Sequence, residues 1–270
     1  TQKTRGPDGR HDWFCECGGE DADETGRTFL GQTGNHNGEV ISKYITDDPA
    51  CARFIARDLY SFLVADEVQV PAWSVTPPRD PEAVDLLANT LMNSGYDMRT
   101  TLRVLFNSDF FKSARFERLK NPTEVVVGTL RMVGGAEFPA PGIGDLSRQP
   151  SYMGQDLLNP PSVEGWHTGA EWINSGALMN RVNFVANQVS NTELPGVMDI
   201  ARRIVESNGS SMTAEVLVDK CLDLIGPLPV SDETRRELVA QAQGEGTISW
   251  EGEAGRAEAS RRVGDVLALI

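Results

Sequence analysis

Between Asp48 and Ala65 the apolar residues fall at 51, 54, 55, 59, 62 and 63, the three-and-four spacing that lines one face of a helix. The Asp48-Pro49 pair supplies an N-cap and a proline suited to the first turn. After a proline-rich stretch, Val70 to Pro78, the same signal returns: Asp80-Pro81-Glu82 opens a run carrying Val84, Leu87, Leu91 and Met92, and Gly95 stops it. Met98 to Asn107, through Leu102, Leu105 and Phe106, predicts a further helix. Asn121-Pro122 caps another with Val125, Val126, Thr129, Leu130 and Val133, ended by Gly134-Gly135. From Phe138 to Gly169 proline and glycine dominate, with one short helix expected around Tyr152 to Leu158; long ordered loops of this kind often carry function. Ala170 to Ser190 reads as helix again, and four amphipathic helices are expected to start near Val197, Thr213, Ser231 and Arg256.

Alternating β-type patterns are scarce and no repeat is visible, so the predicted class is all-α: an irregular multi-helix domain with long Pro/Gly-rich loops and a small C-terminal helical bundle. The expected organisation is an irregular N-terminal arm over 1–38, a main helical domain over 39–194, and a helical subdomain over 195–270. The chain starts at Thr1 and ends inside the apolar run Val266 to Ile270, which reads as part of a buried helix, so the sequence reads as a fragment.

A 270-residue chain with 40% apolar residues can bury a substantial core. A formal net charge of −14 argues against nucleic-acid and anionic-membrane binding, both of which need clustered Lys and Arg, and no run is apolar enough to span a bilayer. Of four cysteines, Cys51 and Cys221 sit among apolar neighbours and read as small core residues. Cys15 and Cys17 form a Cys-x-Cys pair without the two further ligands of a zinc site.

Three stretches together resemble a known family. They are Gly26-Arg-Thr-Phe-Leu-Gly-Gln-Thr-Gly-Asn35 with Ala52-Arg-Phe-Ile-Ala-Arg-Asp-Leu-Tyr60; Leu105-Phe-Asn-Ser-Asp-Phe-Phe111 with Lys120-Asn-Pro-Thr-Glu-Val-Val126; and Met153-Gly-Gln-Asp-Leu-Leu-Asn-Pro-Pro-Ser-Val-Glu-Gly-Trp166 with Trp172-Ile-Asn-Ser175. The chain resembles the C-terminal portion of the bacterial family known as domain of unknown function 1800, and Asn-Pro-Pro-Ser-Val-x-Gly-Trp carries most of the specificity. The resemblance implies an exported, extracytoplasmic (periplasmic or secreted) bacterial protein and a sulfatase-like protein partner; it supplies no reaction. One departure is visible: the family places a His-Asp pair just before the equivalent of Gly26, where this chain has Asp23-Glu24, its own His11-Asp12 lying well upstream.

Candidate chemistry gathers in the Gly-Trp loop, Asn159 to Trp172. Glu164 and His167, with Asp156 as a second carboxylate, are candidate acid/base residues, while Trp166, Trp172, Asn174 and Arg181 are candidate binding residues for a stacked, hydrogen-bonding ligand such as a sugar. The bland alternative makes both tryptophans anchors pinning the loop to the core. Asp21, Asp23 and Thr25 reproduce the opening of a calcium loop with Gly26 at its sixth place, but Gln32 stands where a bidentate Glu is expected, and a solvated acidic loop reads better than bound calcium. His36 lies in a glycine turn, and His11, His36 and His167 lack the His-Glu-x-x-His helix that organises a catalytic zinc. Lys120 with Glu124, and Arg53 with Arg57, are four apart, each either a member of a buried ion pair or, by default, a solvated surface charge. No nucleophile elbow, phosphate-cradling loop or dinucleotide fingerprint is present. The reading that follows is an uncharacterised helical protein acting as an interaction or scaffold component with its partner. The alternatives are a hydrolase-like or carbohydrate-active enzyme at the Gly-Trp loop and a calcium-dependent binding module.

Overall fold

Short polar side chains start most of the helices, and the computed structural model shows how each does so. It describes residues 2–5, 11–14, 25–134, 143–207, 211–226, 228–243 and 247–270, the first two stretches as backbone only. Its class is all-α: helices throughout, with strands only as two-stranded pairs. By backbone contacts the chain divides into two units, Thr1–Tyr60 with Asp80–Ser113, and Ser61–Arg79 with Ala114–Ile270.

The first unit holds two hairpins where the sequence predicts an irregular arm: β1 (Gln2–Arg5) with β2 (His11–Phe14), and β3 (Arg27–Phe29) with β4 (Gln32–Gly34). The second closes through Leu30-Gly31, both at positive φ, as a two-residue hairpin matching strand twist requires. Asn37 caps α1 (Gly38–Asp47), Asp80 caps α3 (Pro81–Asn93) and Asp97 caps α4 (Met98–Asn107), each accepting from backbone N–H groups of the first turn. A short α5 (Asp109–Ser113) follows. Helix α2 (Pro49–Leu63) forms where expected but buries another face: Ala52, Ala56, Arg57 and Tyr60 are buried, whereas Phe54 and Phe62 are exposed. Ala52 and Ala56, four apart, share one face of the helix, and it is that face rather than the one bearing the phenylalanines that is buried. Arg53 is not a solitary surface charge, since Nη1 lies 2.8 Å from Asp85 of α3.

The second unit carries α6 (Pro122–Val133), α7 (Ile143–Leu146), α8 (Gln149–Tyr152), α9 (Ser175–Val189) and α10 (Pro195–Glu206). They are followed by α11 (Ala214–Ile225), α12 (Asp232–Ala242) and α13 (Gly252–Leu269), with a minimal pair β5 (Ser211–Met212) and β6 (Ile248–Ser249). Asn121 and Glu124 close a reciprocal capping box on α6, so Glu124 serves that helix end and Arg118 rather than Lys120. One contiguous core runs through the C-terminal helices: Val197, Ile200 and Ile204 of α10, Leu217, Val218 and Cys221 of α11, Leu238 and Val239 of α12, and Val263, Val266 and Leu267 of α13. Burial pushes the Cys221 thiol up to about 12, as expected of an inert core cysteine. Two glycines permit backbone contact here. A Cβ on Gly196 would come within 2.4 Å of the Met132 carbonyl oxygen, and one on Gly264 within 2.9 Å of the Val189 carbonyl oxygen.

Two expected helices are corrected. The helix predicted over 152–158 ends at Tyr152, because Gly154 (φ 98) and Leu158 (φ 62) adopt left-handed conformations incompatible with its continuation. The helix predicted from Ala170 is interrupted: Gly169–Trp172 forms a 3-10 turn, and Asn174 then restarts the chain by capping α9. Among the described residues no helix is long and apolar enough to cross a membrane.

Candidate functional site

The Gly-Trp loop is shaped by a few polar pins. Asp156 is the hub: Oδ1 accepts from Ser151 Oγ and Oδ2 from Asn159 Nδ2, both at 2.9 Å. Its carbonyl accepts from Asn159 N at 3.2 Å and from Trp166 Nε1 at 3.1 Å. The Asn159 and Ser151 donors favour the ionised form and hold the Asp156 carboxyl below its ordinary value. This carboxylate is therefore occupied in tying Ser151 to Asn159, while the backbone carbonyl of the same residue holds Trp166. Between those pins the chain projects outward, with Leu158 95% exposed and Val163 fully exposed. Glu164 stands on the same tip; its backbone N–H bonds Ser162 Oγ, and no hydrogen bond among the described residues links its carboxylate to His167 or Asp156.

Beyond Trp166 the chain folds back on the 61–79 segment. Gly169 is needed twice over, for its φ of 57° and because a Cβ would lie 3.1 Å from Asp66 Cβ. Asp66 in turn accepts from Leu119 N at 2.9 Å and donates its own N–H to the Glu117 carbonyl. Trp172 is buried, and the His167 ring meets it edge to face at 6.2 Å. His167 Nδ1 lies 2.6 Å from Glu171 Oε2, and Gln69 Nε2 donates to the same Glu171 oxygen and to Thr168 Oγ1, each at 3.2 Å. A carboxylate only accepts, so Nδ1 carries the hydrogen and Nε2 is left with the free lone pair in the neutral ring. Both side chains are about half exposed. A carboxylate-oriented imidazole with an open Nε2 can move a proton to or from a bound group.

The structure thus brings together His167, Glu171 and Trp172 on one side and Asp156 with Trp166 on the other. Glu171 and Gln69 were missed in the sequence; the acid four residues after His167 was the available signal for the first, and Gln69 had none, being a long-range neighbour. Two candidate binding residues have structural uses. Asn174 Oδ1 accepts from Ala177 N as the α9 cap, and Arg181, buried, donates from Nη1 to the Lys120 carbonyl. His36 Nε2 donates to the Gln32 carbonyl at 3.0 Å within its own turn. Thr25 is exposed, while Asp21, Asp23, Cys15 and Cys17 lie outside the described residues. No group of three or more His, Cys, Asp or Glu among the described residues is placed to hold a metal.

A family model described as protein of unknown function (DUF1800) matches residues 14–263. The chain belongs to the DUF1800 family. That match takes in most of both units, every described residue of the Gly-Trp loop and most of the C-terminal bundle. Comparison with curated proteins and with solved structures gave no match.

Proposed function

We propose that this DUF1800 chain is an interaction component whose Gly-Trp loop docks on a partner protein. One observation carries the reading: Leu158 holds a left-handed backbone (φ 62) with its side chain 95% exposed. Such a conformation costs a non-glycine residue roughly 1–2 kcal/mol, and an exposed leucine gains nothing in return within this chain. Stability alone would favour Gly or Asn there. The pins at Asp156 and Trp166 order the loop beforehand, so little entropy is lost when Leu158 and Val163 are buried by a partner. Asp156 and Glu164, neighbours of the tip in sequence, are exposed acids, which suits a partner surface with an apolar pocket and basic residues beside it. The family resemblance suggests a sulfatase-like extracytoplasmic protein as that partner.

The test is direct binding of the purified sulfatase-like protein to the wild-type chain and to a Leu158→Asn/Val163→Ser double variant, which keeps a residue tolerant of positive φ. At least a ten-fold weaker Kd with unchanged melting temperature is expected; equal affinity for the two proteins overturns the docking loop.

A second reading, a hydrolase-like enzyme at the same loop, is favoured by the 2.6 Å His167–Glu171 contact. In it His167 Nε2 is the acid/base group, Glu171 its orienting carboxylate, and Glu164 a further carboxylate. Turnover that is lost in His167→Gln and reduced in Glu171→Gln would support it over docking.

A further inference from the structure

Arg181 lies in the middle of α9, on the buried face with Ala177 and Phe184, and is 8% exposed. Only one edge of its guanidinium is used, Nη1 donating to the Lys120 carbonyl at 2.8 Å. Nε and Nη2 are shut off from solvent and meet no acceptor among the described residues. Their N–H bonds run parallel along one side of the guanidinium plane, the side that a carboxylate or phosphate engages with two oxygens at once.

The surroundings add positive potential. Lys120 immediately precedes Asn121, the N-cap of the 12-residue helix α6, so the guanidinium is anchored at the positive end of a helix. The backbone donors of that end are already engaged, Thr123 N by Gln155 Oε1 and Glu124 N by Asn121 Oδ1. The carboxylate at hand is engaged too, since Glu124 accepts from Arg118 Nη1 and Asn121 N. Desolvation alone pulls the Arg181 guanidinium below its ordinary value, with no acid countering it. A buried charge lacking a counter-charge is strongly destabilising, and a neutral acceptor would fill the hydrogen bonds without balancing the charge.

We propose that the Nε–Nη2 edge of Arg181 is an oxyanion site, taking a small carboxylate or phosphate group bidentately at the α6–α9 junction. It is independent of the docking loop. Because both nitrogens are enclosed, the ligand enters by local opening, and equilibrium melting is the appropriate measurement. The chain is melted in sodium acetate, sodium phosphate and sodium chloride at equal ionic strength. The oxyanion that fits raises the melting temperature over chloride by ~5 °C when present at about 100-fold its Kd. Acetate exceeding phosphate assigns the carboxylate as occupant, and the reverse assigns phosphate. Arg181→Met loses the response and melts at or above the wild type in chloride, since the lone buried charge is gone. Should that variant fail to fold, Arg181→Lys retains the charge without the paired N–H groups and binds the favoured anion at least ten-fold more weakly. Equal melting in all three salts, or a response that survives in the variant, overturns the site.

Discussion

The C-terminal bundle and the Gly-Trp loop belong to one compact unit yet are held by opposite means. The bundle is cohesive through redundancy: α10, α11, α12 and α13 pool aliphatic side chains into one core, so each contributes through many weak contacts. The loop has almost no apolar interior of its own. Its shape depends on single hydrogen bonds to Asp156 and Trp166 and on the burial of Trp172, while Leu158 and Val163 point to solvent. A region that spends its apolar residues inward is built for stability. One that orders them outward with polar pins keeps its shape without drawing stability from those apolar side chains.

That contrast can be broken at three places. The largest effect is expected in the bundle, where Leu217→Ala removes a fully buried side chain and leaves a cavity; it should cost about 2–5 kcal/mol and lower the denaturant midpoint of the whole unit. A loss below 0.5 kcal/mol would mean that the core relaxes like the loop. Next is Trp166→Phe, which deletes the donor to the Asp156 carbonyl. The expected loss is about 1 kcal/mol, confined to faster amide exchange at residues 156–166; a global loss of protection would show the loop to be part of the core. The smallest concerns Glu258 of α13, held at about 2 by its bonds to Arg261 and Arg262. A carboxyl lowered on folding adds stability above its unfolded value near 4.3, and that increment is lost as pH falls from there toward 2. Partial exposure keeps it at no more than about 1 kcal/mol. Denaturation of Glu258→Gln and wild type at pH 7 and pH 2.5 measures it: the gap should narrow at the lower pH.

Much of the fold was legible because it is written in local chemistry. The Asn121-Pro122 start with Glu124 three residues after the cap, and the Asp80-Pro81 start, act within one turn of backbone, and the observed helices begin where those residues stand. The four C-terminal helices followed from amphipathic spacing. The face of α2 was not legible, because choosing Ala52, Ala56 and Tyr60 over Phe54 and Phe62 depends on what approaches the helix. In the loop, the tryptophans and His167 stood out as residue types, but their partners did not: Gln69 reaches Glu171 across 102 positions, and Arg181 reaches Lys120 across 61.

By itself the sequence determined the all-α class, most of the helix starts and the family, since caps, prolines and apolar periodicity act over a few residues. Only the tertiary structure decided that His167 is oriented by Glu171, that Asp156 is a loop pin, that Asn174 is a cap and that Arg181 is a buried charge with one edge unpaired among the described residues. The Arg181 contact joins positions 61 apart and exists only once the helices have packed, while those of His167, Asp156 and Asn174 span at most ten positions and depend on the rotamers and loop path that the folded chain selects.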